Sequence, residues 1–297
     1  MNLEQLKVIK DGKGFISALD QSGGSTPKAL LSYGIEESEY NGEIEMMNLV
    51  HKMRSRIIKS PSYTNKHIVG AILFKHTMNN KIDGKYTADY LWDVKKVVPF
   101  LKIDLGLAEM KHGVKLMKPI PDLDEILDHA VDKNIFGTKM RSVIYEANEK
   151  GINKLVAQQF DFAKKIISHG LVPIIEPEVD INSPEKFECE AYLRNALKKE
   201  IKKLPKDDLI MLKLTLPTVD NFYSQLAEKE NVIKIVALSG GYERDKACAI
   251  LKRNNNIIAS FSRAFAEGLN DKQTDEEFNS LMTKNILEIY DASVNKD

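Results

Sequence analysis

Leu209-Ile-Met-Leu-Lys-Leu-Thr215 places one lysine, Lys213, inside an aliphatic run. The run is short for a helix, and its apolar character suits a strand covered on both faces. Comparable runs recur along the chain, bounded by turn signals. They are Gly14-Phe-Ile-Ser-Ala-Leu-Asp20, Ile68-Val-Gly-Ala-Ile-Leu-Phe74, Val98-Pro-Phe-Leu-Lys-Ile-Asp104 and Phe136-Gly-Thr-Lys-Met-Arg141. Leu171-Val-Pro-Ile-Ile-Glu-Pro-Glu178, Val232-Ile-Lys-Ile-Val-Ala-Leu-Ser-Gly240 and Ile257-Ile-Ala-Ser-Phe-Ser-Arg263 complete the set. Between them lie amphipathic stretches, such as Leu155 to His169 and Glu188 to Lys203. Strands alternating with helices imply parallel pairing through right-handed crossovers. About eight such units in one chain of this size predict an α/β fold, a single (β/α)8 TIM barrel over residues 1–297. A doubly wound open sheet is the rival. It is disfavoured because Asp20-Gln-Ser-Gly-Gly-Ser-Thr26 lacks the glycine spacing of a dinucleotide-binding turn.

Lys plus Arg equals Asp plus Glu, 43 against 43. Neither nucleic acid nor an anionic membrane is therefore expected as the main partner, and an anionic ligand must be held by a local cluster of cations. Cys189 and Cys248 are too few for a disulfide framework and suit a reducing compartment. Met1-Asn-Leu-Glu-Gln-Leu-Lys7 has no long apolar core, so it does not read as a signal peptide. No apolar stretch approaches membrane-spanning length. The expectation is a soluble, cytoplasmic protein.

In a barrel of this kind the active site lies at the C-terminal ends of the strands. Standing there are Asp20, Lys102, Lys139 with Arg141, Glu176 with Glu178, Lys213, Ser239-Gly240-Gly241 and Arg263. Singly, each has an ordinary explanation. A strand-end lysine runs its stem along apolar surface with its ammonium in water, a glutamate pairs with a surface cation, and Ser-Gly-Gly is a turn. Convergence on one barrel mouth changes that reading. Burying the Lys213 ammonium is costly, with Lys139 and Lys102 expected nearby, and a neutral amine is what attack on a carbonyl requires. Lys139 and Glu176 offer an acid and a base for a carbinolamine. Ser239-Gly240-Gly241 can aim backbone N–H groups at an anion, with the following helix adding its positive end and Arg263 gripping the same phosphate. Imine chemistry on a phosphorylated carbonyl compound is the expectation. Of the histidines, only His76 lies near a strand end and no pair has ligand spacing, so no metal site is expected.

Ala18-Leu-Asp-Gln-Ser22, Gly70-Ala-Ile-Leu-Phe74, Phe100-Leu-Lys-Ile-Asp104, Lys139-Met-Arg141, Val172-Pro-Ile-Ile-Glu-Pro-Glu178, Leu212-Lys213, Leu238-Ser-Gly-Gly241 and Phe261-Ser-Arg-Ala264 resemble the strand motifs of class I fructose-bisphosphate aldolases, the short bacterial members above all. The resemblance spans almost the whole chain with the motifs in family order. It implies Lys213 as the Schiff-base lysine, Glu176 as the acid/base that dehydrates the carbinolamine, and Lys139 as its partner. It also implies Asp20 in proton transfer and C–C cleavage, and Lys102 and Glu178 in the substrate pocket. One phosphate would lie on Ser239, Gly240 and Arg263, with Ser25 near the other. The implied reaction is metal-independent retro-aldol cleavage to dihydroxyacetone phosphate and glyceraldehyde 3-phosphate, in glycolysis and gluconeogenesis. No cofactor is implied, and the implied partners are a sugar phosphate and further copies of the chain. The sequence departs from the vertebrate pattern with Gln21 for a glutamate, Met140 for a tryptophan and Ala29 for an arginine at the distal phosphate, leaving Lys28 or another cation to serve there. The chain ends Tyr290-Asp-Ala-Ser-Val-Asn-Lys-Asp297, without the terminal tyrosine of long-tailed members.

Two alternatives stand beside this reading. The phosphate motifs do not fix the configuration at C4, so tagatose bisphosphate is a competing substrate. A catalytically idle sugar-phosphate-binding or adhesion barrel would be free to lose Lys213 or Glu176, and both are present together with Lys139 and Asp20.

Overall fold

The computed structural model describes every residue except Ser22, Gly23 and Ser25. The apolar runs become β1 (Phe15–Leu19), β2 (Ile68–Leu73), β3 (Val98–Lys102), β4 (Gly137–Ile144), β5 (Val172–Val179), β6 (Ile210–Thr215), β7 (Val232–Leu238) and β8 (Ile257–Ala259). They pair in parallel in chain order. Closure comes from the backbone N–H of Ala18 in β1, which donates to the carbonyl of Phe261 just past β8 at 3.1 Å. That contact decides for a barrel over an open sheet. It also explains why β8 stops short of Arg263. Ser260 still bonds back to Ala237 at 2.7 Å, after which Phe261 turns away to serve β1.

The longer helices are α1 (Leu3–Asp11), α2 (Gly42–Lys59), α3 (Leu123–Asp132), α4 (Glu149–Ser168), α5 (Lys186–Ile201), α6 (Arg244–Lys252) and α7 (Asp275–Val294). Helix α4 begins earlier than its strongest apolar stretch because the Asn148 side chain caps the N–H of Gly151 at 2.9 Å. Helix α5 ends at Ile201, two residues before the expected boundary. Helix α1 lies across the N-terminal mouth, where Ile9 is fully buried against the barrel lumen.

Strand alternation divides the core in two. Ile16, Ala18, Val98, Phe100, Val172, Ile174 and Met211 fill the lumen. The larger cluster, including Leu101, Ile175, Leu212 and Leu214, packs between strands and helices. A hairpin, Leu107–Lys111 with Val114–Met117, adds antiparallel to the upper half of β4 through Val114↔Ile144 and Lys115↔Val143. This second partner carries β4 beyond Arg141, where its apolar run had suggested an end.

Candidate active site

The charged residues continue the inward-facing series of the lumen. Asp20 follows Ile16 and Ala18, Lys102 follows Val98 and Phe100, Glu176 follows Val172 and Ile174, and Lys213 follows Met211. Register then sets neighbours. Lys102 pairs with Lys139 across β3 and β4, and Arg141 with Glu176 across β4 and β5. Glu176 and Lys213 sit one step beyond the Ile175↔Leu212 pair of β5 and β6. Past that point Thr215 replaces the ladder, its hydroxyl accepting from Val179 N at 2.9 Å and donating to Val179 O at 2.7 Å.

At the centre, Lys139 Nζ lies 2.6 Å from Asp20 Oδ2 and 3.0 Å from Glu176 Oε2, and Glu176 Oε1 lies 3.2 Å from Lys213 Nζ. Each side chain is less than a tenth exposed. Burial by itself would raise the Asp20 pKa, but Lys139 and Lys213 beside it hold it well below the usual carboxylate range. For Lys139, burial works against the charge, and Asp20 and Glu176 outweigh it to hold the pKa above the usual lysine value. Lys139 is thus a fixed cation between two carboxylates, one of which reaches the amine of Lys213.

Around this centre, Lys102 Nζ meets Asp104 Oδ1 at 2.9 Å and the Asp104 carbonyl at 2.7 Å. Arg141 Nε meets Glu178 Oε2 at 2.5 Å. The expected companions of Lys213 therefore arrive already paired with carboxylates. Lys102 in particular brings its own counter-charge to the mouth.

On the β7 and β8 side, Gly240 and Gly241 adopt φ of +64° and +121°, and a Cβ on Gly240 would stand 2.6 Å from Ile181 Cγ2. The turn therefore needs glycine there. Arg263 Nη2 comes 3.4 Å from where a Cβ of Gly241 would sit, so the guanidinium faces the Ser239-Gly-Gly turn. Among the described residues, no carboxylate pairs with Arg263. One expectation needs correction. Arg263 opens a one-turn helix, Arg263–Ala266, and does not end β8. The first N–H of α6, that of Arg244, is bonded to Glu267 Oε2 at 3.2 Å.

Ser25 lies outside the described residues, and Lys28 is exposed. Tyr290 stacks edge-on against His67, with ring centroids 4.8 Å apart, just ahead of β2 at the opposite end of the barrel from the charged cluster. Among the described residues, no three His, Cys, Asp or Glu side chains converge as a metal site.

Arg54, Gln159 and Asn285 are among the buried polar side chains that escaped the sequence reading. Arg54 of α2 donates to the Gln21 carbonyl at 2.5 Å and to Thr77 Oγ1 at 2.8 Å. Gln159 of α4 donates to the Glu176 carbonyl at 3.1 Å and to Ser142 Oγ at 2.7 Å. Asn285 of α7 accepts from Arg244 at 2.8 Å and donates to the carbonyls of Phe265 and Glu267 at 3.1 and 2.9 Å. A signal was present: each sits on the apolar stripe of its helix, Arg54 between Val50 and Ile57, Gln159 between Leu155 and Ala163, Asn285 between Met282 and Ile289.

The chain is similar to known proteins in sequence and in fold. The family model of fructose-bisphosphate aldolase class-I matches residues 3–231. The fructose-bisphosphate aldolase class 1 of Clostridium acetobutylicum is 59% identical over 294 residues, covering 99% of this chain and all of that one. Among solved structures, the fructose-bisphosphate aldolase of Plasmodium falciparum superposes with a TM-score of 0.79 at 19% identity, over 99% of this chain and 94% of that one. An archaeal fructose 1,6-bisphosphate aldolase does so at 0.57 and 12% identity, over 97% of this chain and 99% of that one. The two structures speak to the shared barrel, while the family match and the close relative reach the sequence itself: this chain belongs to the class I fructose-bisphosphate aldolase family.

Proposed function

We propose that the chain cleaves fructose 1,6-bisphosphate between C3 and C4 through an imine on Lys213, without a metal. The carrying observation is the 3.2 Å contact between Lys213 Nζ and Glu176, whose carboxylate shares Lys139 with Asp20. The amine of Lys213 attacks the C2 carbonyl of the open-chain sugar, giving a carbinolamine. Glu176 passes a proton to its hydroxyl, which leaves as water, and the nitrogen lone pair forms the C=N bond. Asp20 takes the proton of the C4 hydroxyl. The C3–C4 bond then breaks, its electrons flow into the protonated imine, and glyceraldehyde 3-phosphate departs. Protonation of the enamine at C3 and hydrolysis release dihydroxyacetone phosphate and restore the free amine. Lys139 keeps both carboxylates oriented through these transfers, and Ser239-Gly240-Gly241 with Arg263 hold the C1 phosphate beside Lys213.

Borohydride reduction in the presence of dihydroxyacetone phosphate and a chelator, followed by peptide mapping, tests this directly. The expected product is a reduced three-carbon adduct on Lys213, absent from Lys213→Met. Adduct on Lys139 or Lys102 would move the nucleophile. Cleavage abolished by the chelator, with no adduct, would overturn the imine mechanism.

A further inference from the structure

Arg54 is fully buried, and no carboxylate of the described residues lies within ion-pairing distance of its guanidinium. Among the described residues its Nε has no hydrogen-bond partner. A lone buried charge is costly. Burial pushes its pKa down to about 10, and only the field of Asp20 opposes that shift. Its firm contacts are the Gln21 carbonyl and Thr77 Oγ1. Gln21 is the residue directly after Asp20, so Arg54 ties down the backbone at the tip of β1 from behind the barrel wall. Gln159 does the equivalent at β5. It too is fully buried, and its amide spans the carbonyl of Glu176 itself and Ser142 on β4, the strand that carries Lys139. The two carboxylates that meet at Lys139 are thus each braced by a buried polar group from an outer helix.

We infer that Arg54 and Gln159 are positioning residues for two different steps of the proposed reaction, Arg54 setting Asp20 for C–C cleavage and Gln159 setting Glu176 for imine formation. The inference rests on the function proposed above. Neither side chain touches the reacting atoms; Gln159 acts through the backbone of Glu176 and Arg54 through the backbone next to Asp20, and the contacts of these carboxylates to lysines are 2.6 to 3.2 Å long. Displacements well under an ångström at such contacts are enough to slow proton transfer.

The two steps separate experimentally because dihydroxyacetone phosphate has no C4 hydroxyl. Its imine formation needs Lys213, Glu176 and Lys139 but gives Asp20 nothing to deprotonate. Arg54→Met and Gln159→Met keep side-chain volume while removing the donors. For each, kcat and KM for fructose 1,6-bisphosphate cleavage are measured alongside the rate of borohydride-trapped adduct formation and thermal unfolding. Arg54→Met is expected to lower kcat about 10- to 100-fold, with KM and the trapping rate within about threefold of the parent. Gln159→Met is expected to lower kcat and the trapping rate together, by a similar factor.

Arg54→Met with kcat within twofold of the parent overturns the assignment for Arg54. Loss of trapping and kcat in parallel in Arg54→Met assigns it a merely structural role and overturns the inference equally. Should either methionine variant fail to fold, Arg54→Leu and Gln159→Leu are read in the same way. A parent enzyme that forms no adduct at all would sink the imine reading itself, an outcome distinct from failure of the braces.

Discussion

Lys139 has two carboxylates within 3.0 Å and is almost fully buried, and that geometry makes the fold sensitive to acid in a calculable way. Asp20 has a pKa held below its unfolded value of about 3.9. A carboxylate of that kind stabilises the native state above its unfolded pKa and loses the contribution as the pH falls toward its native one. Lys139, with its pKa raised, contributes fully below about 10.4 and loses its share only as the pH climbs through the native value, so it does not shape the acid side. Urea unfolding at pH 5 and pH 3 should therefore show the parent losing about 1 kcal/mol more than Asp20→Asn over that interval. Equal losses in the two proteins would mean that the Asp20–Lys139 pair is not formed in solution. Cleavage activity of Asp20→Asn, measured at neutral pH where its fold is intact, should fall while adduct trapping on Lys213 persists.

Between residue and barrel stand the elements that bring Arg263 to the Ser239-Gly-Gly turn. Neither lies in a strand, so the sheet ladder does not align them. The alignment comes from Asn285, whose amide holds Arg244 at the start of α6 on one side and the carbonyls of Phe265 and Glu267, at the end of the short Arg263 helix, on the other. Asn285→Leu should raise KM for the bisphosphate about tenfold while kcat changes little, and should cost about 1–3 kcal/mol in thermal or urea unfolding because two buried carbonyls lose their donors. Unchanged KM in a destabilised variant would show that the proposed phosphate site is held by something else. This element also marks how far the sequence could be read. The strands were legible because each is a dense apolar run, and the lumen-facing charges were legible because they end those runs. The hairpin at 107–117 was not: Leu107-Ala-Glu-Met-Lys111 is half exposed and mixes charge with apolar residues, which is how a surface loop also reads. Arg54, Gln159 and Asn285 were missed for a related reason. Helical periodicity reports the apolar face, and a polar residue within that stripe reads as an interruption until the strand backbone it serves is in place. The true length of β8 depended on closure, because Phe261 leaves β7 only when β1 is there to receive it.

Across the whole molecule, the proposed chemistry and the seat of the C-terminal segment occupy opposite ends of the barrel. The charged cluster stands at the C-terminal ends of the strands, while the chain terminus packs near their beginnings. Lys296 Nζ donates to the carbonyls of Leu251, Ile257 and Ala292 at 3.1, 2.7 and 2.9 Å, joining the end of α6, the start of β8 and the end of α7. The N–H of Asp297 adds a bond to the Lys252 carbonyl at 3.1 Å. A seven-residue strand such as β7 separates these ends by roughly 20 Å. Seated there, Lys296 and Asp297 lie away from the charged cluster, and Tyr290, stacked on His67, lies at that same end. Removing Lys296 and Asp297, or replacing Lys296 by Met, should leave kcat for fructose 1,6-bisphosphate cleavage within about twofold of the parent. It should lower the unfolding free energy by about 1–3 kcal/mol, because three carbonyls lose a common donor. The opposite pattern, a tenfold loss of kcat at unchanged stability, would mean that the tail leaves this seat during turnover and reaches the barrel mouth, and that the fixed C-terminus is only one of its working positions.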